Sequence, residues 1–173
     1  MFGASITEPA AGAADARGRA AALCGLFASA FLLVFGISTN VWVRSGDALA
    51  VGPHGVSRPF RNMGLQLSER SAGGDLALAA TYAIVTVLAA LWMMSVARPG
   101  GAPRLARATL WLSTAALVGA SALTADLWWQ ICGGDVAEGA MLYGAGCALA
   151  IACAARLRRP PDAGDLARAR ALG

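Results

Sequence analysis

The sequence contains no lysine; all 14 of its basic residues are arginine. It holds a single histidine, His54, and four cysteines, Cys24, Cys132, Cys147 and Cys153, none of them in a CxxC spacing. A structural zinc site typically collects four nitrogen or sulfur ligands, so neither a metal nor a haem is expected here. The cysteines lie in or beside apolar stretches, where a thiol acts as a small buried hydrophobe. No GxSxG, Walker or GxGxxG pattern occurs, and a Ser/His/Asp arrangement would have only His54 to draw on. These absences remove the common catalytic designs, and no enzymatic activity and no cofactor are expected.

Charge is scarce as well. Charged residues make up 14% of the 173 residues, 57% are hydrophobic and the mean hydropathy is +0.58, against roughly 25% charged residues in a soluble domain. Such a chain has too little polar surface to cover itself in water. Its net charge of +4 and pI near 9.3 do not point to nucleic acid, because the arginines flank apolar runs, as cytoplasmic membrane flanks do. An all-arginine basic set with abundant Ala and Gly matches the codon bias of a GC-rich bacterium. The expected location is the cytoplasmic (inner) membrane of such a cell.

What is present is a series of long apolar runs. Residues 20–43 carry 24 positions without a charge, about 36 Å as a helix against a hydrocarbon core of about 30 Å. Arg17 and Arg19 before this run, and Ala28-Ser29-Ala30 within it, resemble a signal peptide. Phe31-Leu32-Leu33-Val34-Phe35 continues past the small residues, however, and the run exceeds an h-region of roughly 7 to 15 residues, so a retained spanning helix is expected. Further spanning helices are predicted over 76–97, 108–132 and 136–155. Arg98-Pro99-Gly100-Gly101 closes the second, and Gly133-Gly134-Asp135 reads as a tight turn before the fourth. Residues 1–19 and 156–173 are predicted as cytoplasmic tails. Residues 45–75, interrupted by Gly46, Gly52, Pro53, Gly55, Pro59, Gly64, Gly73 and Gly74, are predicted as an outer loop of short strands and turns. The fold class is therefore an all-α membrane protein, a four-transmembrane-helix bundle with a small β-containing first extracellular loop.

Counting arginines sets the orientation. Arg17, Arg19, Arg98, Arg104, Arg107, Arg156, Arg158, Arg159, Arg168 and Arg170 fall on one side, and Arg44, Arg58, Arg61 and Arg70 on the other, ten against four of the 14. The positive-inside rule then places both termini in the cytoplasm. Trp42, Trp128 and Trp129 fall at the outer interface as an aromatic belt, with Trp92 and Trp111 nearer the inner face.

Several residues stand out within this frame. Ala140, Gly144, Ala148 and Ala152 repeat every four residues along the fourth helix, a small-residue stripe of the kind that lets helix backbones approach in lipid. Ala21, Gly25 and Ser29 repeat in the first helix, and Ala116 and Ala120 in the third. The stripes are read as seams of the bundle, and alternatively as a homo-oligomer face. Asp126 is an acid inside an apolar run. Such a group costs roughly 2.5 to 3.5 kcal/mol at the bilayer centre, and the default hypothesis for it is functional, as a proton or cation site. Its place near the outer end equally suits an interfacial acid that is hydrated or paired with Arg44. Asn40, at the outer end of the first helix, is its expected polar neighbour.

The segment Ser38-Thr39-Asn40-Val41-Trp42 leaving the first helix resembles the corresponding segment of the claudin and peripheral-myelin-protein superfamily, which includes the gamma subunits of voltage-gated calcium channels. Either His54-Gly55-Val56-Ser57-Arg58 or Met63-Gly64-Leu65-Gln66 stands where that family has a Gly-Leu-Trp motif. The resemblance implies four helices, cytoplasmic ends and a first outer loop folded as a small sheet. The loop from Ser45 to Asp75 has no cysteine, so the disulfide that staples the family's loop has no counterpart. Tetraspanins place their long loop between helices three and four, where this chain has a few residues. The resemblance implies a non-enzymatic accessory or adhesion module that meets a protein partner through the outer loop, with membrane lipid around the helices. The alternative is a small transporter or channel component using Asp126 in a helix-lined cavity.

Overall fold

The computed structural model describes residues 8–39, 41–46, 49–53, 55–56, 72–97, 102–131 and 133–158. Four helices dominate: α1 (Glu8–Ser38), α2 (Ala72–Ala97), α3 (Pro103–Gln130) and α4 (Glu138–Leu157). Each contains a stretch long and apolar enough to cross a membrane. They form a ring in which α1 packs on α2 and α4, and α3 packs on α2 and α4. Phe27, Phe31, Tyr82, Trp111 and Val118 are each more than 60% exposed on its outside. That much apolar surface on a single chain calls for an apolar surrounding.

The four short strands, β1 (Val43–Ser45), β2 (Leu49–Gly52), β3 (Gly55–Val56) and β4 (Asp135–Val136), form one sheet in the order β3-β2-β1-β4 with every neighbouring pair antiparallel. Its register lines up Val56, Val51, Val43 and Val136 in a single row across all four strands. β-Branched side chains facing one another across a pleated sheet are a unit of its stabilisation, as Val51, Val43 and Val136 are here, and Val43 and Val51 are buried. Gly46 turns β1 into β2 with φ at +58°, a backbone that glycine adopts without penalty.

The expected element boundaries shift. α2 starts at Ala72, inside the predicted outer loop and ahead of the predicted 76, and α3 starts at Pro103, ahead of the predicted 108. Three further boundaries differ. The first helix begins at Glu8, inside the segment read as a tail. The alanine-rich run ahead of the apolar stretch has high helix propensity although it lacks apolar periodicity. The same helix stops at Ser38, five residues short of the predicted Val43. Residues 41–43 instead give their backbone groups to the sheet and to the start of α4. Third, the turn after α3 is more than a turn, because Asp135 and Val136 form the edge strand β4 and pair with Arg44 and Val43. The outer loop folds into strands in its first part, as expected; residues 57–71 lie outside the described residues.

Candidate functional site

Trp42 is the centre of the end of the molecule that carries the sheet. Its backbone N–H donates to Val51 O at 2.9 Å, and its carbonyl accepts from Ala137 N–H at 2.8 Å. One residue earlier, Val41 O accepts from Gly139 N–H at 2.9 Å. The chain leaving α1 is thus held between the β2 strand and the first turn of α4, with its backbone groups paired on both sides, as a buried segment requires. The indole points down into the bundle. Its Nε1–H donates to Gly36 O at 3.0 Å, and its ring lies 5.3 Å from that of Tyr143.

Tyr143 continues the connection to α2. Its hydroxyl lies 3.0 Å from Thr81 Oγ1, which is itself 2.7 Å from Ala77 O. A threonine hydroxyl has one proton to give, so both contacts are satisfied when Thr81 donates to Ala77 and Tyr143 donates to Thr81. Trp42, Tyr143 and Thr81 are all at least 98% buried. The sheet, α1, α4 and α2 are therefore locked by one aromatic and hydroxyl cluster that leaves no polar atom of these three side chains unpaired.

Glycines let this cluster close. A methyl group on Gly36 would stand 2.7 Å from Tyr143 N, and one on Gly139 would stand 2.6 Å from Val41 O. Farther along, Ser29 Oγ donates to Gly146 O at 2.8 Å across the α1–α4 interface, and a methyl on Gly146 would stand 3.0 Å from Leu33 Cγ. The buried faces read Ala22, Leu26, Ser29, Leu33, Ile37 on α1 and Gly139, Tyr143, Gly146, Ala150, Cys153 on α4. They step by four, three, four and four on α1 and by four, three, four and three on α4, the pattern of helices packed side by side.

The residues singled out from sequence are placed as follows. Gly144 is partly buried, with room for a methyl group 3.8 Å from Leu117, while Ala148 and Ala152 are exposed. The tight seam therefore does not run along the 140/144/148/152 stripe but on the face carrying Gly139, Tyr143 and Gly146. The stripe holds small residues alone, whereas the seam mixes a large tyrosine with small residues. Of Ala21, Gly25 and Ser29, Ser29 is buried in the seam and the partly buried Gly25 packs against Cys153 of α4, while Ala21 is exposed. Trp42 is core and not part of an aromatic belt, because the helix ends before it and its ring turns inward. Trp128 and Trp129 are 43% and 77% exposed, and Trp128 Nε1–H donates to Gly134 O at 2.8 Å. Asn40 lies outside the described residues.

Asp126 does not face the bundle interior. It is exposed at the sheet end of a groove of about 550 Å³ between α2 and α3, and its carboxylate accepts one hydrogen bond from Gln130 Nε2, 2.7 Å away on its own helix. Arg44, its expected partner, is paired with Glu138 at 2.8 Å, both side chains about half exposed. Among the described residues no cation meets Asp126, and no group of three or more His, Cys, Asp or Glu is placed to hold a metal ion.

Sequence reasoning missed Tyr143, Thr81, Gly36, Gly139 and the Arg44–Glu138 pair. The four-and-three spacings on α1 and α4 carried the signal for Gly36, Gly139 and Tyr143; Thr81, on α2, had none. No family model, curated protein or solved structure matches this chain.

Proposed function

We propose that this chain is a four-span integral membrane protein whose sheet forms a rigid cap outside the bilayer, and that the cap is the docking surface for a protein partner. It serves as an accessory or adhesion module and not as an enzyme. The observation that carries the reading is the β4 edge of the sheet, which pairs with no further strand among the described residues. β4 ends the sheet on one side, Val136 is 50% exposed there, and the Arg44–Glu138 pair stands beside it. The cap beneath is held by the Trp42 cluster, so the edge is presented in one geometry, which lowers the ordering cost of binding. An unpaired strand edge is a ready template for another chain.

The distribution of arginine supports the orientation. Arg17, Arg19, Arg104, Arg107, Arg156 and Arg158 lie on helix ends away from the sheet, and Arg44 lies in it. From the claudin resemblance the reading takes only the use of the first outer loop as the contact surface. The second reading, a transport cavity built on Asp126, needs a polar relay in the bundle interior, and the carboxylate has only Gln130 beside it among the described residues.

A photo-crosslinking residue at Val136 in native membranes tests the proposal, with one at the lipid-facing Val118 as control. A discrete protein adduct at 136 that is absent at 118 and lost on Trp42→Ala supports it. Equal labelling at both positions overturns it.

A further inference from the structure

The groove between α2 and α3 is open to the side, and its walls are almost wholly apolar. Ala77, Ala80 and Ala83 of α2 face Ala116, Gly119 and Leu123 of α3, with Asp126 at the sheet end and Tyr143 among its lining residues. From Leu112 to Asp126 its α3 wall runs about 21 Å at 1.5 Å per residue. A methyl group added at Gly119 would meet nothing within 4 Å. These two helices are therefore not closed on each other along this face.

Depth and charge identify what fills it. α3 has 28 residues, about 42 Å, which overhangs a hydrocarbon core of about 30 Å by roughly 6 Å at each end. Asp126 stands four residues before the end at Gln130, so with α3 centred on the core its carboxylate falls at the boundary between hydrocarbon and headgroups. Below it, a laterally open void in hydrocarbon does not stay empty, because its walls would forfeit their dispersion contacts. It does not hold water either, for want of polar partners. At its mouth, Asp126 accepts one hydrogen bond from a neutral amide and meets no cation among the described residues. Asp75, beside the lining residue Leu76, adds a second negative charge at the same end of the bundle.

We infer that this groove holds one phospholipid with a primary-amine headgroup, phosphatidylethanolamine, its acyl chain lying along Gly119 and its ammonium on the Asp126 carboxylate. The site selects its lipid by charge at the mouth and by size along the wall. A quaternary choline head has no N–H to donate, and a glycerol head leaves the phosphate charge facing two carboxylates. The inference rests on the membrane-spanning part of the proposed function and is independent of the cap's partner.

Purified protein reconstituted in vesicles of equal parts phosphatidylethanolamine, phosphatidylcholine and phosphatidylglycerol, then released and weighed by native mass spectrometry, tests it. Wild type is expected to retain one lipid, with the ethanolamine head enriched about tenfold, the scale of one charge-assisted hydrogen bond. Asp126→Asn keeps the groove's shape and is expected to retain one lipid without headgroup preference. Gly119→Phe fills open space, keeps the helical circular dichroism signal and is expected to lose the bound lipid. The inference is overturned if Gly119→Phe retains lipid at the wild-type level, if wild type shows no preference or favours phosphatidylglycerol, or if Gly119→Phe abolishes a protein dimer in place of a lipid adduct. Alkaline carbonate extraction of the same vesicles separates the two levels. A chain that stays in the membrane without lipid overturns only the lipid site, and a chain that is extracted overturns the spanning reading with it.

Discussion

The backbone N–H of Ala137 donates to the carbonyl of Trp42 across 2.8 Å, joining the turn before α4 to the segment that leaves α1. This bond, with Gly139 N–H on Val41 O, makes the sheet and the α1–α4 interface one cooperative unit. A change at either end is therefore felt in both.

Trp42 carries most of that coupling. Trp42→Ala removes a fully buried ring and is expected to cost about 3 to 5 kcal/mol, the range for large aromatic truncations. It should also open the cap to trypsin at Arg44 while the helical signal persists. Trp42→Phe keeps the contact with Tyr143 and loses the bond to Gly36 O, for a cost of about 1 kcal/mol. Thermal melts in detergent, with digestion timed against wild type, distinguish the two.

The glycine seam gives an opposed pair of outcomes. Gly36→Ala and Gly139→Ala drive a methyl group into backbone atoms and are expected to destabilise by about 1 to 3 kcal/mol. Gly144→Ala meets only Leu117 at 3.8 Å and should be neutral or stabilising by up to about 1 kcal/mol through helix propensity. Equal melting shifts for Gly139→Ala and Gly144→Ala would place the seam elsewhere.

The Tyr143–Thr81 contact should respond asymmetrically. Tyr143→Phe leaves Thr81 donating to Ala77 O and costs less than about 1 kcal/mol. Thr81→Val strands a buried phenol proton and costs about 1 to 3 kcal/mol. The reverse ranking in thermal melts would mean that Thr81 is the donor of the pair.

Orientation is open to a direct check. A reporter fused after Gly101 is expected to read cytoplasmic, and one inserted at Gly46, in the exposed β1–β2 turn, external. The opposite pair of readings would invert the arrangement of the bundle.

The Arg44–Glu138 pair is half exposed on both sides, and such pairs contribute about 1 kcal/mol or less. Arg44→Ala is accordingly expected to leave the melting temperature nearly unchanged while weakening any partner adduct formed at Val136. A large loss of stability would show the pair to be structural.

Composition and run length were enough to establish four apolar helices, a short third connection and a β-containing first loop. Each follows from a local quantity: charge density, uninterrupted apolar length, or the placing of Gly and Pro. Where α1 ends was not legible, since Thr39 to Val43 continues the uncharged run of the helix before it. The decision belongs to Val51, Ala137 and Gly139, which take the backbone hydrogen bonds of residues 41–42. Asp126 was visible as an acid in an apolar run, but its surroundings were not, because Arg44 had a second acid within reach.

The sequence by itself thus determined the number of helices, their apolar character and the uneven placing of arginine, because these depend on residues close together along the chain. Only the tertiary structure decided that Trp42 is core, that Val136 completes a four-strand row of valines, that the seam runs through Gly36, Gly139 and Gly146, and that α2 and α3 leave a groove between them. Those features depend on which surfaces meet. In a chain this rich in alanine and glycine, many faces are small enough to pack, and the choice among them falls to the few large side chains, Trp42 and Tyr143 above all, that fit in one arrangement.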